Sequence, residues 1–297
     1  MKDQQFGHVR FISGENKGRY PYSHSLYIEG ARKRVLIDPA SSLEKLIRLR
    51  DEEGVDAVWL SHWHEDHFKY LYLFEDRQLW LSERDFPPLA DIEVMLDWCG
   101  AEDNDFRNYW LKNIQDNFSY QPRCEANFIK NGDIIDCGAV TVQAIATPGH
   151  TPGHMSFFFP EEEILFLGDY DLTSFGPWYG DLYSDIDESI QSLRRLKNIT
   201  ARIWLVSHEK GVYEENPGEV WQRYENNIYE RDNKIIDSLR QPQTLDEIAA
   251  RWIIYGKPRK PIIVFKFLER SLLKKHLQRL EKLQQIFFDG DRYKLTA

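Results

Sequence analysis

The chain has 297 residues, 42% of them hydrophobic, enough to bury a sizeable core and to divide into more than one domain. Its net charge of −10 disfavours non-specific binding to polyanions, and no window approaches the roughly 18 consecutive apolar residues of a membrane span. The opening residues Met1-Lys2-Asp3-Gln4-Gln5-Phe6 lack a signal-peptide pattern, and Cys99, Cys124 and Cys137 suggest no disulfide framework, so the cytoplasm is the expected compartment.

Residues 9–12, 25–28 and 35–37 read as strands of an opening meander, and 42–53 carries Leu43, Leu46, Ile47 and Leu49 at near-helical spacing. Asp56-Ala57-Val58-Trp59-Leu60 is a short apolar run expected to be a buried strand. Where it ends, the chain enters Ser61-His62-Trp63-His64-Glu65-Asp66-His67. Three imidazoles and two carboxylates within six positions, in a chain of nine histidines, mark a metal site, because these are the ligands that zinc, iron and manganese prefer. His62 and His64 are expected to point to one side of the loop and close on one ion. Asp66 and His67, at the mouth of the next helix, are placed to take a second. The carboxyl end of a strand is where α/β folds usually bind substrate.

Further along, residues 84–125 are expected to form a helical insertion with Trp98, Phe106, Tyr109, Trp110 and Phe118 mostly on amphipathic faces. Residues 134–136, 140–146, 155–159, 164–167 and 203–206 read as strands, and 186–196 as a helix. Gly176-Pro177-Trp178-Tyr179-Gly180 is a loop bounded by glycine and proline, in which Tyr179 offers substrate a hydrogen bond or serves a structural role. Residues 1–224 carry 23 Lys+Arg against 38 Asp+Glu, whereas residues 225–297 carry 15 against 10, so the tail differs in kind. It reads as a helix to about residue 239, a short helix at 245–252, a helix at 262–283 and a hairpin turned by Asp289-Gly290. Three helices and a hairpin resemble a winged-helix module. Leu273, Leu277 and Leu280 supply an apolar face of the third helix, and Arg270, Lys274, Lys275, Arg279 and Lys282 a basic one.

Four elements join the histidine cluster in a family pattern: Val35-Leu36-Ile37-Asp38, Thr147-Pro148-Gly149-His150-Thr151-Pro152-Gly153-His154, Ile164-Leu165-Phe166-Leu167-Gly168-Asp169 and Val206-Ser207-His208. Their order resembles that of the metallo-β-lactamase-fold hydrolases over about residues 9 to 215. The resemblance implies an αββα sandwich at residues 1–216, with the insertion at 84–125, followed by a small, mainly helical winged-helix-like domain at 217–297. It implies two divalent metal ions, zinc first and iron or manganese as alternatives. His62, His64 and His150 would hold one, Asp66, His67 and His208 the other, and Asp169 would bridge them. Asp38 would orient the ligand-bearing loop, and His154 would stand outside the ligand set.

Such a centre would present metal-bound hydroxide to an ester, thioester or lactone, with Asp66 and Asp169 as proton acceptors and no Ser-His-Asp triad required. The acid at 169 speaks against antibiotic hydrolysis, since family members with that activity tend to have cysteine or no bridging ligand. His64 in place of glutamate, and the lack of a flavin domain, speak against flavodiiron oxidoreductases. The remaining group resembles hydroxyacylglutathione hydrolases, lactonases and a small set of nucleases. A small-molecule substrate is therefore expected, with no membrane partner and the tail serving as lid or homodimer element. The alternative is a nuclease acting on single-stranded RNA or DNA with the tail gripping the strand, a layout similar to that of an animal β-lactamase-like endoribonuclease.

Overall fold

The computed structural model describes residues 1–296, which build two stacked sheets with helices outside both. The first sheet runs in order through β1 (Gln4–Phe6), β2 (Val9–Ile12), β3 (Ser25–Glu29), β4 (Arg34–Ile37), β5 (Ala57–Trp59), β6 (Gln78–Leu81) and β7 (Asn127–Phe128). Neighbours are antiparallel as far as β4 and parallel from there on. The second sheet runs through β8 (Ile134–Asp136), β9 (Thr141–Ala146), β10 (Met155–Phe159), β11 (Ile164–Phe166), β12 (Ile203–Leu205) and β13 (Val212–Tyr213). Only β11 and β12 are parallel there.

Side chains alternate across each strand, so one face of each sheet meets the other sheet and the second face meets helices. Phe11, Leu26, Ile28, Val35, Ile37 and Trp59 pack against Phe157, Phe159, Ile164, Phe166 and Leu205, all buried between the sheets. On the outer face of the first sheet, Tyr27, Leu36 and Val58 pack under α1 (Leu43–Arg48) and the insertion, α3 (Pro87–Ala90), α4 (Ile92–Trp98) and α5 (Asn104–Phe118), while α2 (Glu65–Phe68) follows the histidine loop. The expected helix over 42–53 keeps its α geometry only to Arg48, then widens into a π turn over Leu49–Glu53 that Gly54 ends at φ +87°. Behind the second sheet, Leu165 and Trp204 meet α6 (Ile186–Lys197) and α7 (Glu219–Ser238). Asp185 caps α6 by accepting from the Glu188 amide, and Ile186, Ile190, Leu193 and Leu196 give that helix its buried face.

The tail supplies α7, α8 (Leu245–Ala249), α9 (Ile262–Lys282) and a hairpin of β14 (Ile286–Phe288) and β15 (Tyr293–Leu295). Leu272, Leu273, Leu277 and Leu280 of α9 share a core with Ile186, Ile190, Ile228 and Ile235. At its amino-terminal half Phe267 stacks on Phe106 of the insertion, with ring centroids 3.7 Å apart. The tail is thus docked on both the second-sheet side and the insertion. Among the described residues, no helix is long and apolar enough to cross a membrane.

Candidate metal centre

Parallel neighbours send their carboxyl ends to the same edge, and the centre forms there. Asp38 follows β4, His62 and His64 follow β5, Asp169 follows β11, His208 follows β12, and the turn between β9 and β10 carries His150. Buried His62, His64 and His150 converge with Asp169, and Asp66, His67 and His208 form a second group. His62 Nε2 lies 3.0 Å from His64 Nδ1 and 3.2 Å from His150 Nε2, and the latter two atoms are 2.9 Å apart. One Asp169 oxygen, Oδ2, is turned to the first group, 3.3 Å from His150 Nε2. The other, Oδ1, is turned to the second, 2.9 Å from His67 Nε2 and 3.2 Å from His208 Nε2. Asp66 Oδ2 approaches His208 Nε2 at 3.7 Å.

The outer nitrogens decide whether this set fits metal. His64 Nε2–H donates to Asp181 Oδ2 at 2.5 Å, His150 Nδ1–H to the Trp178 carbonyl at 2.9 Å, and His62 Nδ1–H to Ser61 Oγ at 2.9 Å. His67 Nδ1–H donates to Asp38 Oδ2 at 2.9 Å and His208 Nδ1–H to the Gly18 carbonyl. Each neutral ring has then spent its proton outward, leaving only lone pairs to meet at the centre. His67 Nε2 and Asp169 Oδ1, both buried and 2.9 Å apart, are not aligned as a hydrogen bond. Lone pairs packed this closely are satisfied by a cation, so the residues fit divalent metal.

Without metal, protons compete for two of these rings. Burial opposes protonation of His64, but the Asp181 carboxylate more than reverses this and holds the imidazole at about 9. Burial likewise opposes charge on His208, and Asp169 raises it to about 10. Burial alone leads at His62 and His150, which are held well below the usual histidine range.

Asp38 is buried beneath the loop, accepting from the Ser61 amide at 2.8 Å, the Ser61 hydroxyl at 2.7 Å and His67. His154 lies outside both groups: its Nε2 accepts from the Asp169 amide at 3.1 Å, and Nδ1 contacts Thr147 Oγ1 at 2.8 Å. Of the two roles expected for Tyr179, its contacts fit the structural one. Fully buried, its hydroxyl lies 2.8 Å from His276 Nε2 and accepts from Arg231 at 2.9 Å, while Trp178 is the aromatic of that loop lining the cavity. Sequence reasoning missed Asp181, one acid among 48 with no motif around it, and the carbonyls of Trp178 and Gly18, which carry no side-chain signature.

The centre forms the floor of a cavity of about 1040 Å³. Phe106, Tyr109 and Trp110 of the insertion form one wall, and Val264, Phe265 and Phe267 of α9 another. The basic side chains expected to face nucleic acid are engaged elsewhere. Arg270 pairs with Asp246, Lys274 approaches Glu102 at 3.8 Å, and Lys275 donates to the carbonyls of Leu182 and Ser184 at 2.7 and 2.9 Å. Arg279 binds Asp187 at 2.8 Å and also Asp232, and Lys282 reaches Asp187 at 3.2 Å. These contacts hold α9 to the rest of the chain.

Comparison with known proteins agrees with this geometry. A family model described as the Metallo-beta-lactamase superfamily matches residues 19–78 and 89–208, which include all seven converging side chains. An atrochrysone carboxyl ACP thioesterase of Aspergillus fumigatus is 27% identical over 243 residues, covering 79% of this chain and 65% of that protein, just under two thirds of its length. A lactamase-like protein of Trichophyton equinum is 26% identical over 299 residues, covering 93% of this chain and 77% of the relative. The solved structure of a metallo-beta-lactamase family protein from Thermus thermophilus superposes with a TM-score of 0.71 over 97% of this chain and 98% of the other, at 21% identity. With the fold, the converging ligand set and the family model in agreement, the chain belongs to the metallo-beta-lactamase superfamily and is a hydrolase of that superfamily.

Proposed function

We propose that this protein is a metal-dependent thioesterase of small acyl substrates, with His62, His64, His150 and Asp169 holding one divalent ion and Asp66, His67, His208 and Asp169 a second. The observation that carries the reading is the convergence of seven side chains on a cavity floor, with one Asp169 oxygen turned to each group. When bound there, divalent metal supplies Lewis acidity, polarising a carbonyl oxygen and lowering the pKa of water.

The chain's own residues supply the rest. Phe106, Trp110 and Phe267 line the chamber with apolar surface suited to an acyl group. Asp66 and Asp169 both line the cavity, and these carboxylates take the proton that water releases as its oxygen joins the acyl carbon. The carbon–sulfur bond breaks, giving a carboxylate and a thiol.

A thioester suits the site better than an oxygen ester or an amide. A thiolate, with a pKa near about 8.5, leaves without being protonated first, whereas an alkoxide needs a general acid. The histidines on the floor have spent their protons outward and are poor acids for that task. The name of the Aspergillus relative supports the same choice.

The test is a substrate panel with metal-loaded protein: matched thioesters, oxygen esters, lactones and single-stranded RNA. Thioesters are expected to turn over at least tenfold faster than their oxygen esters, a ratio equal to about 1.4 kcal/mol in barrier. Cleavage of RNA with no thioester turnover would overturn the proposal in favour of a nuclease.

A further inference from the structure

The tail's positive charge is unevenly used. Where Arg270, Lys274, Lys275, Arg279 and Lys282 have internal partners, Lys234, Arg259 and Lys260 have no acidic partner within ion-pair distance among the described residues. All three are exposed, and all three line the cavity above the metal centre. Glu230, four residues before Lys234 on α7, also lines the cavity. Arg259 is also positioned, its guanidinium lying over Tyr255 at 5.2 Å and over Phe265 at 5.9 Å. In a chain of net charge −10, with Glu65, Asp66, Asp169 and Asp171 all lining the same cavity, unspent cations at its rim need an explanation.

We infer that Lys234, Arg259 and Lys260 form a subsite for a phosphate on the thiol arm of the substrate, so that the thioester is carried on a phosphorylated handle. This rests in part on the thioesterase reading but concerns a different part of the cavity. The acyl end lies among the aromatics near the floor, and the anionic end of the thiol arm meets the rim. A guanidinium held near two ring centroids has its position restricted by them, and its planar fork suits phosphate, while the lysines add charge.

The test compares one acyl group on three arms: pantetheine, 4′-phosphopantetheine and coenzyme A. The phosphorylated arms are expected to show kcat/KM on the order of tenfold above pantetheine, through KM, the size expected for one charge-assisted hydrogen bond. The triple variant Lys234→Ala/Arg259→Ala/Lys260→Ala should bring that ratio close to one. A coenzyme A preference beyond phosphopantetheine would identify a nucleotide-bearing handle, and equal use of the two would assign the 4′-phosphate as the recognised group. A ratio near one in the unaltered protein, or a ratio that survives the triple variant, overturns the inference. Calorimetric titration with free 4′-phosphopantetheine and with pantetheine decides the matter even if no thioester is cleaved. Tighter binding of the phosphorylated thiol, lost in the triple variant and weakened by salt, supports the subsite, and equal binding of the two sinks it.

Discussion

Asp181 and the Trp178 carbonyl fix which nitrogen of His64 and His150 faces the centre. An outer acceptor that holds a ligand imidazole is worth about 10–100-fold in metal affinity. Asp181→Asn should therefore weaken one of two binding steps by about that factor while leaving the other unchanged, as read by titration against a competing chelator. Acid should act on the same atoms. Without metal, His64 and His208 keep their inward protons up to about 9 and about 10, and binding must expel them. Apparent metal affinity should consequently rise with pH through neutrality and level off only above about 10. The sign for the fold follows. The protonated, ion-paired histidines stabilise the metal-free protein at low pH, and that stabilisation is lost as pH rises through the folded values. The gain in melting temperature on adding metal should be larger at pH 8 than at pH 6, and an equal gain at both would count against the assignment.

At the scale of elements, the loop from Phe175 to Asp181 is the piece on which the first group of ligands leans, and the tail holds it. Arg231 of α7 donates to the Pro177 carbonyl at 3.0 Å, to the Phe175 carbonyl at 2.5 Å and to the Tyr179 hydroxyl, while His276 of α9 contacts that hydroxyl and Asp232. Arg231→Ala strands two carbonyls and should cost about 2–4 kcal/mol in stability. It should also lower metal affinity without removing any ligand, and Arg231→Lys should restore part of the stability and less of the affinity. Much of this architecture can be read from the sequence. Runs such as Val9–Ile12, Met155–Phe159 and Ile164–Phe166 place bulky apolar residues where a buried strand needs them, and the histidine cluster stands out by density alone. The edge strands β1, β7 and β13 are two or three residues long, too short for a period to show, and Gln4, Gln5 and Asn127 blur the apolar pattern. At Tyr179 the sequence leaves two roles open because a glycine-bounded loop reads as exposed, whereas in the fold Arg231 and His276 draw its hydroxyl inward.

Over the whole molecule, the cavity is assembled from parts with separate jobs. Its floor comes from strand ends in both sheets, and its walls come from α5 and α9, which are more than a hundred residues apart in sequence and meet at the Phe106–Phe267 stack. Phe267→Ala should cost on the order of 2 kcal/mol, less than a fully buried ring, and should enlarge the acyl chamber. Across thioesters of increasing acyl length, the optimum in kcat/KM should move to longer chains with metal content unchanged. An unshifted optimum would place the acyl group elsewhere. That division of labour bears on how such a protein can change over time. Substitutions in the two helices can retune which molecules fit the cavity while the side chains converging on its floor, set at the ends of sheet strands, stay as they are, so a new specificity can arise without a spell of lost chemistry.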